Sequence, residues 1–286
     1  MAISEPYIDA HSHIWTPDMA HYPLAEGFKV SDMQPPSFTS EELLALCRPA
    51  GVGRVNLIQM SYYKFDNRYM LDMIKLYPDR FVGTAIIDPL GTDPSKEMID
   101  LLPKGVRAFR IQPSYSQQPP SRWLEPEGYL KMFATSAKTG QALSCLIGPD
   151  GFQEIDRMCT KFPESPVIID HIGRIGVDGT INPAEVAALC AMAKHPKLYV
   201  KIGAFYALGK KAPPYEDLGP LIKSVVQAFG ANRCMWESDC PFHVVSHKYV
   251  DSINLIKNRL DFLTADDRAW LLTKTAEGLL FKTTKP

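Results

Sequence analysis

A closed barrel of eight parallel strands, each followed by a helix, is the fold class that the sequence predicts, and three observations predict it. Eight short apolar runs alternate with segments of helical period. The length of 286 residues accommodates eight such units, since a (β/α)8 barrel typically takes about 250. No G-x-G-x-x-G or Walker loop, the usual mark of an open doubly wound sheet, occurs. Strand–helix alternation implies parallel pairing through helical crossovers. Residues 1–286 therefore read as one domain.

The apolar runs are 7–10, 54–60, 81–87, 106–111, 142–147, 166–170, 198–202 and 234–236, each entering a loop rich in Pro, Gly, Asp or Ser. Thr39 with Glu42, and Thr264 with Asp267, match the capping box that opens a helix. From Asp66, apolar residues recur at Met70, Met73, Ile74 and Tyr77, and Pro78 ends the pattern. Tyr249, Ile253, Ile256, Leu260 and Leu263 step by four and three, one face of a helix. The first crossover, 14–38, has no such period. It holds Pro17, Pro23, Pro35 and Pro36 with Trp15, Tyr22 and Phe28. Long irregular loops in compact domains are often functional, so this one is expected to form a lid at the barrel's active face. Residues 264–286 are read as a C-terminal helical extension.

Composition excludes several classes. Hydrophobic residues make up 45% and charged residues 22%, which is ordinary for a globular protein and not for a disordered one. Lys plus Arg is 31 and Asp plus Glu is 32, so there is no basic field to hold nucleic acid. No apolar run reaches the 18 or so residues of a membrane helix. The six cysteines form no CxxC pair, which fits free thiols in a reducing cytoplasm. The oligomeric state is not legible.

The strongest local signal is Asp9-Ala10-His11-Ser12-His13. A strand repeats every two residues, so His11 and His13 project to one side at the end of the first strand. Two converging imidazoles suit a divalent metal such as zinc. The sixth run ends in Asp170-His171-Ile172-Gly173-Arg174, and the eighth in Glu237-Ser238-Asp239-Cys240-Pro241. Ionisable residues at the carboxyl ends of barrel strands are site candidates. Read singly, His171 could be a hydrogen-bonded structural histidine and Asp239 a helix cap. His243 is expected to be exposed at a helix start.

Together these pieces resemble the amidohydrolase superfamily, in the amidohydrolase-related group of 2-pyrone-4,6-dicarboxylate lactonase and L-fuconolactonase. Tyr77-Pro78-Asp79-Arg80-Phe81, Gly105-Val106-Arg107-Ala108-Phe109-Arg110 and Val200-Lys201-Ile202-Gly203 extend the likeness over nearly the whole chain. The resemblance implies one divalent metal, zinc or manganese, on His11, His13, Asp239 and His171, with no organic cofactor. It argues against a two-metal site, because strand four lacks a terminal lysine and strand five offers Cys145 in place of a histidine. It also implies attack of water on a lactone carbonyl, with Asp239 as general base and the histidines stabilising the oxyanion. Arg110, Arg174 and Lys201 are then candidates to hold an anionic small-molecule substrate, with Tyr62 and Tyr115 as further contacts. The alternative is a metal-dependent, non-hydrolytic decarboxylase of the same superfamily, which Phe242 after Pro241 resembles. A barrel that binds without catalysis would have no need of the polar cluster.

Overall fold

The computed structural model describes residues 5–282. Its eight strands lie in one parallel sheet in chain order. They are β1 (Tyr7–Ser12), β2 (Val52–Ile58), β3 (Phe81–Ala85), β4 (Val106–Ile111), β5 (Ala142–Cys145), β6 (Val167–Ile169), β7 (Leu198–Ile202) and β8 (Cys234–Trp236). Each begins within two residues of an apolar run, because β-branched runs bounded by turn residues can be buried on both faces only as inner strands. The crossovers carry α1 (Ser40–Cys47), α2 (Arg68–Leu76), α3 (Pro94–Leu101), α4 (Glu127–Thr139), α5 (Phe152–Lys161), α6 (Pro183–Ala191) and α7 (Gly219–Phe229). After β8 come α8 (Tyr249–Asn254) and α9 (Ala265–Ala269). Both expected capping boxes are present, at Thr39 with Glu42 and at Thr264 with Asp267. No helix among the described residues is long and apolar enough to cross a membrane.

The periodic stretch after β8 is interrupted rather than continuous. α8 passes into a π-helical turn at Leu255–Arg259, yet Tyr249, Ile253, Ile256, Leu260 and Leu263 are all buried. The 14–38 excursion packs as a buttress and supplies none of the residues that line the central cavity. Trp15 bridges to Phe38, donates from its indole to Pro35 O at 2.8 Å, and lies 5.3 Å from the Tyr62 ring and 5.9 Å from Phe242. Its aromatic content is thus satisfied against the β2 and β8 loops, which places it beside the cavity instead of over it.

Inside the barrel two layers differ in chemistry. Ile8, Ala10, Val82, Ala108, Ala142, Ile168 and Met235 come from six strands and form one apolar cluster, so they meet on the axis. Leu280, from the π-helical turn Glu277–Phe281, and Ala276, just before it, close that cluster from the amino end of the strands. The upper layer is polar. Asn56 donates to Ala10 O and to Thr84 Oγ1, at 3.0 and 2.9 Å. Lys201, fully buried, lies 2.9 Å from Asp170 Oδ1 and 3.2 Å from Ser144 Oγ. Ser144 donates to the same Asp170 oxygen at 2.7 Å. Burial alone would raise the Asp170 carboxyl, but the Lys201 charge and its other cationic neighbours hold it well below the usual range.

Two outcomes follow for stability. Leu280→Ala empties the apolar plug and is expected to cost about 2–5 kcal/mol, read from urea unfolding. Lys201→Met leaves Asp170 a buried charge without its main partner, and removal of one member of such a pair costs about 3–5 kcal/mol. Adding Asp170→Asn should recover part of that loss, and a double-mutant cycle measures the coupling.

Candidate active site

The site lies on the seam where the first and last strands meet. β8 is only three residues long, so the seam is made by the chain beyond it. Asp239 N donates to His11 O at 2.9 Å, His13 N donates to Cys240 O at 2.7 Å, and Ser12 bridges Cys240 in parallel. Beneath this sits Asp9, fully buried. Its carboxylate accepts from His11 N (3.1 Å), Ser12 Oγ (2.8 Å), Ser238 N (2.9 Å), Ser238 Oγ and Tyr249 OH (2.7 Å). Burial pushes this carboxyl up and the donors partly offset it. The Asp-Ala-His-Ser-His motif is therefore tied to Ser238-Asp239-Cys240 from both sides.

That tie brings three ligand atoms together. His11 Nε2 and His13 Nε2 are 3.2 Å apart, and Asp239 Oδ1 lies 3.5 and 3.4 Å from them. Metal bonds of about 2.0–2.1 Å in a tetrahedral site put ligand atoms roughly 3.3–3.4 Å apart. The second nitrogen of each ring is already engaged. His13 Nδ1 hydrogen-bonds Ile58 O at 3.0 Å and His11 Nδ1 stands 3.0 Å from Glu237 Oε2, and an outer contact at the second nitrogen is what orients a metal-binding ring. The group could hold a metal ion.

Charge inside the site is balanced by neighbours. Burial pushes His13 down to about 4, so its ring is neutral, as a metal ligand must be. Burial would raise Asp239, but His171, His13 and His11 outweigh it and hold the carboxyl well below the usual range. Burial would lower His171, but the charges of Glu237 and Asp239 raise it. Tyr206 OH donates to Asp239 Oδ2 at 2.7 Å, and burial pushes that phenol up so that it stays a donor.

Above these groups opens a cavity of about 380 Å³. His13, Arg110, His171, Arg174, Tyr206 and Asp239 line it on the polar side. Met60, Ile86, Leu146, Leu208 and Phe242 form an apolar wall. Arg110 is 8% exposed, its Nε has no hydrogen-bond partner, and its NH2 lies 3.5 Å from Asp170 Oδ2. Arg174 is exposed at the rim.

The structure therefore gathers His11, His13, His171 and Asp239 at the floor, with Arg110 and Arg174 above. His171 groups with His11 and Glu237 rather than with the His11–His13–Asp239 triple, because its Nδ1 is bound to Glu237 Oε1 at 2.7 Å. Three expected substrate contacts do not reach the cavity lining. Lys201 is sealed in the polar layer against Asp170. Tyr62 is buried and donates to Asp32 O at 2.8 Å. Tyr115 is half-buried against the Phe65 ring, 5.7 Å away. His243 is fully buried instead of exposed, its Nε2 meeting Lys248 O at 2.8 Å. Cys145, on the strand where a histidine was sought, is buried with its Sγ toward Leu143 O.

Three site residues carried no role in the sequence reading. Glu237 had a signal, since it stands two residues before Asp239 and so on the same side of the chain. Asp170 had a weaker one as the neighbour of His171. Tyr206 comes from a single 3-10 turn (Phe205–Ala207) after β7, too short for a period to point inward.

The amidohydrolase family model matches residues 8–282. The 4-sulfomuconolactone hydrolase of Rhizobium radiobacter is 25% identical over 240 residues, 84% of this chain and 77% of that one. The L-fucono-1,5-lactonase of Burkholderia ambifaria is 25% identical over 245 residues, 82% of this chain and 80% of its own. Among solved structures, one from Acinetobacter baumannii, described as a probable 2-pyrone-4,6-dicarboxylic acid hydrolase with citric acid bound, superposes with a TM-score of 0.80 at 19% identity. That match covers 97% of this chain and all 100% of the other. With eight parallel strands in chain order and a family match that runs from β1 to the end of the described residues, this chain belongs to the amidohydrolase family.

Proposed function

We propose that the protein is a hydrolase that opens a small anionic lactone by attack of water on the ring carbonyl. The observation that carries this reading is one cavity lined by His13, His171 and Asp239, with His11 buried behind them, and by the Arg110 guanidinium, which is buried and incompletely paired. The 4-sulfomuconolactone hydrolase and the L-fucono-1,5-lactonase named above act on lactones by their descriptions, which supports the class. His11, His13 and Asp239 would hold a divalent metal, and two nitrogens with one carboxylate oxygen suit zinc. When bound, that ion supplies Lewis acidity at the carbonyl oxygen.

The chain's own groups do the rest. Arg110 and Arg174 hold the substrate carboxylate, Arg110 from within and Arg174 from the rim. Asp239 takes a proton from the attacking water as its oxygen bonds to the carbonyl carbon. His171, with Nδ1 committed to Glu237, offers Nε2 to the developing oxyanion. The tetrahedral centre then collapses, the ring C–O bond breaks, and the departing alkoxide receives the proton from Asp239. The apolar wall keeps bulk water from the carbonyl face. The six cysteines, all free, support a reducing, cytoplasmic setting.

A pH-indicator screen of carboxylated and sugar lactones tests this reading, with acid release expected from at least one class. Asp239→Asn should lower kcat about 10²–10⁴-fold, and chelation followed by zinc should abolish and then restore turnover. Release of carbon dioxide without ring opening would instead identify the decarboxylase alternative. Arg110→Met should raise KM for a carboxylated lactone, since loss of hydrogen bonds to a charged group at about 1.5–3 kcal/mol is roughly 10–150-fold. The same substitution should leave KM for an uncharged lactone nearly unchanged.

A further inference from the structure

We infer that Glu237 is the positioning residue of this site: one buried carboxylate that orients an imidazole from β1 and another from the β6 loop. The inference rests on the metal and oxyanion roles proposed above for His11 and His171, and it assigns the group that makes both possible.

Glu237 is fully buried. Its Oε1 accepts twice from a single residue, from His171 N at 3.1 Å and from His171 Nδ1 at 2.7 Å. Its Oε2 stands 3.0 Å from His11 Nδ1. Lys201 Nζ, which also meets Asp170 Oδ1 at 2.9 Å and Ser144 Oγ at 3.2 Å, is 3.2 Å from that same nitrogen but can only donate, and Asp170 Oδ1 is farther from it, at 3.8 Å. Glu237 Oε2, otherwise without a hydrogen-bond partner, is the nearest carboxylate oxygen to His11 Nδ1, and a proton on that nitrogen directed to it would turn the Nε2 lone pair toward His13 and Asp239.

Backbone geometry shows what the His171 contact holds in place. His171, Ile172, Gly173 and Arg174 all have positive φ, of 55°, 52°, 61° and 56°. Left-handed backbone costs a residue with a Cβ roughly 1–2 kcal/mol, and Ile172 is also β-branched. Such a turn persists only where its surroundings over-determine it. Glu237 grips the first residue by backbone and ring together, so it anchors the turn that carries His171 and Arg174 to the cavity. Room for this carboxylate is built in. A Cβ at Gly203 would lie 2.1 Å from Glu237 Cγ and 2.2 Å from its carbonyl oxygen, so only glycine admits Glu237 against β7.

Glu237→Gln tests the assignment, because an amide keeps the volume and can still accept from His171 but presents N–H to His11. Zinc affinity, measured by competition with a chelator, should fall about 10–100-fold, while the urea midpoint stays near wild type. Proton NMR should show a downfield, exchange-protected imidazole N–H for the short His171–Glu237 bond, absent in His171→Asn and shifted in Glu237→Gln. Wild-type zinc affinity with an unmoved resonance in the Gln variant would overturn the assignment. If that variant does not fold, the wild-type spectrum decides: a protected imidazole N–H lost in His171→Asn supports the proposal, and none at all overturns it. Neither readout uses a lactone, so a failed substrate screen removes the hydrolase reading without touching this one.

Discussion

The barrel depends on a single carboxylate at its seam. A strand of three residues cannot form a long ladder, and β8 meets β1 through backbone bonds made after the strand has ended. Asp9 supplies the missing attachment by collecting donors from its own strand, from Ser238 and from Tyr249. Hydrogen bonds to charged groups are worth more than neutral ones, about 1.5–3 kcal/mol each, and several are needed to offset the burial of an ion. Replacement by a neutral side chain would loosen the closure, and with it the distance between His11, His13 and Asp239.

The same economy runs through the upper layer. Asp170, Glu237 and Asp239 face Lys201, Arg110 and the imidazoles inside a space with almost no solvent. Each acid is shared: Asp170 between lysine, serine and arginine, Glu237 between two histidines, Asp239 between two histidines and a tyrosine. Sharing keeps the side chains in single rotamers, which is the preorganisation a polar reaction requires. An apolar plug below prevents water from entering the network from the opposite end.

Much of this was legible in the chain. β-Branched runs with turn residues at their ends located all eight strands, and period-two logic placed His11 and His13 on one side. Capping boxes marked the starts of α1 and α9. What failed has a physical cause. Lys201 looked like a mouth residue because β7 ends one residue later, yet inner strands of a barrel bury every alternate position, and Asp170 neutralises it there. Tyr62 and Tyr115 sit on active-face loops, but loop direction is set by tertiary packing against Asp32 and Phe65, which no local pattern encodes. The 14–38 excursion was read from its lack of period, its prolines and its aromatic residues, whereas the burial of Trp15 and Phe38 against each other decides its place. Glu237 carried no role because its partners, His11 and His171, come from β1 and the β6 loop, far from it in sequence.

The seam has a bearing on how the molecule comes into being. Ser238 N and Asp9 are hydrogen-bonded across 229 positions of sequence, so the two halves of the candidate metal site are made at opposite ends of translation. A nascent chain that has emitted seven strands already has His11, His13 and His171 outside the ribosome, but no fixed point for them to converge on. Such an intermediate presents an open sheet edge at β1 and a loose set of histidines. Assembly of the candidate site and closure of the barrel are then one late event, since neither exists before the last strand is added.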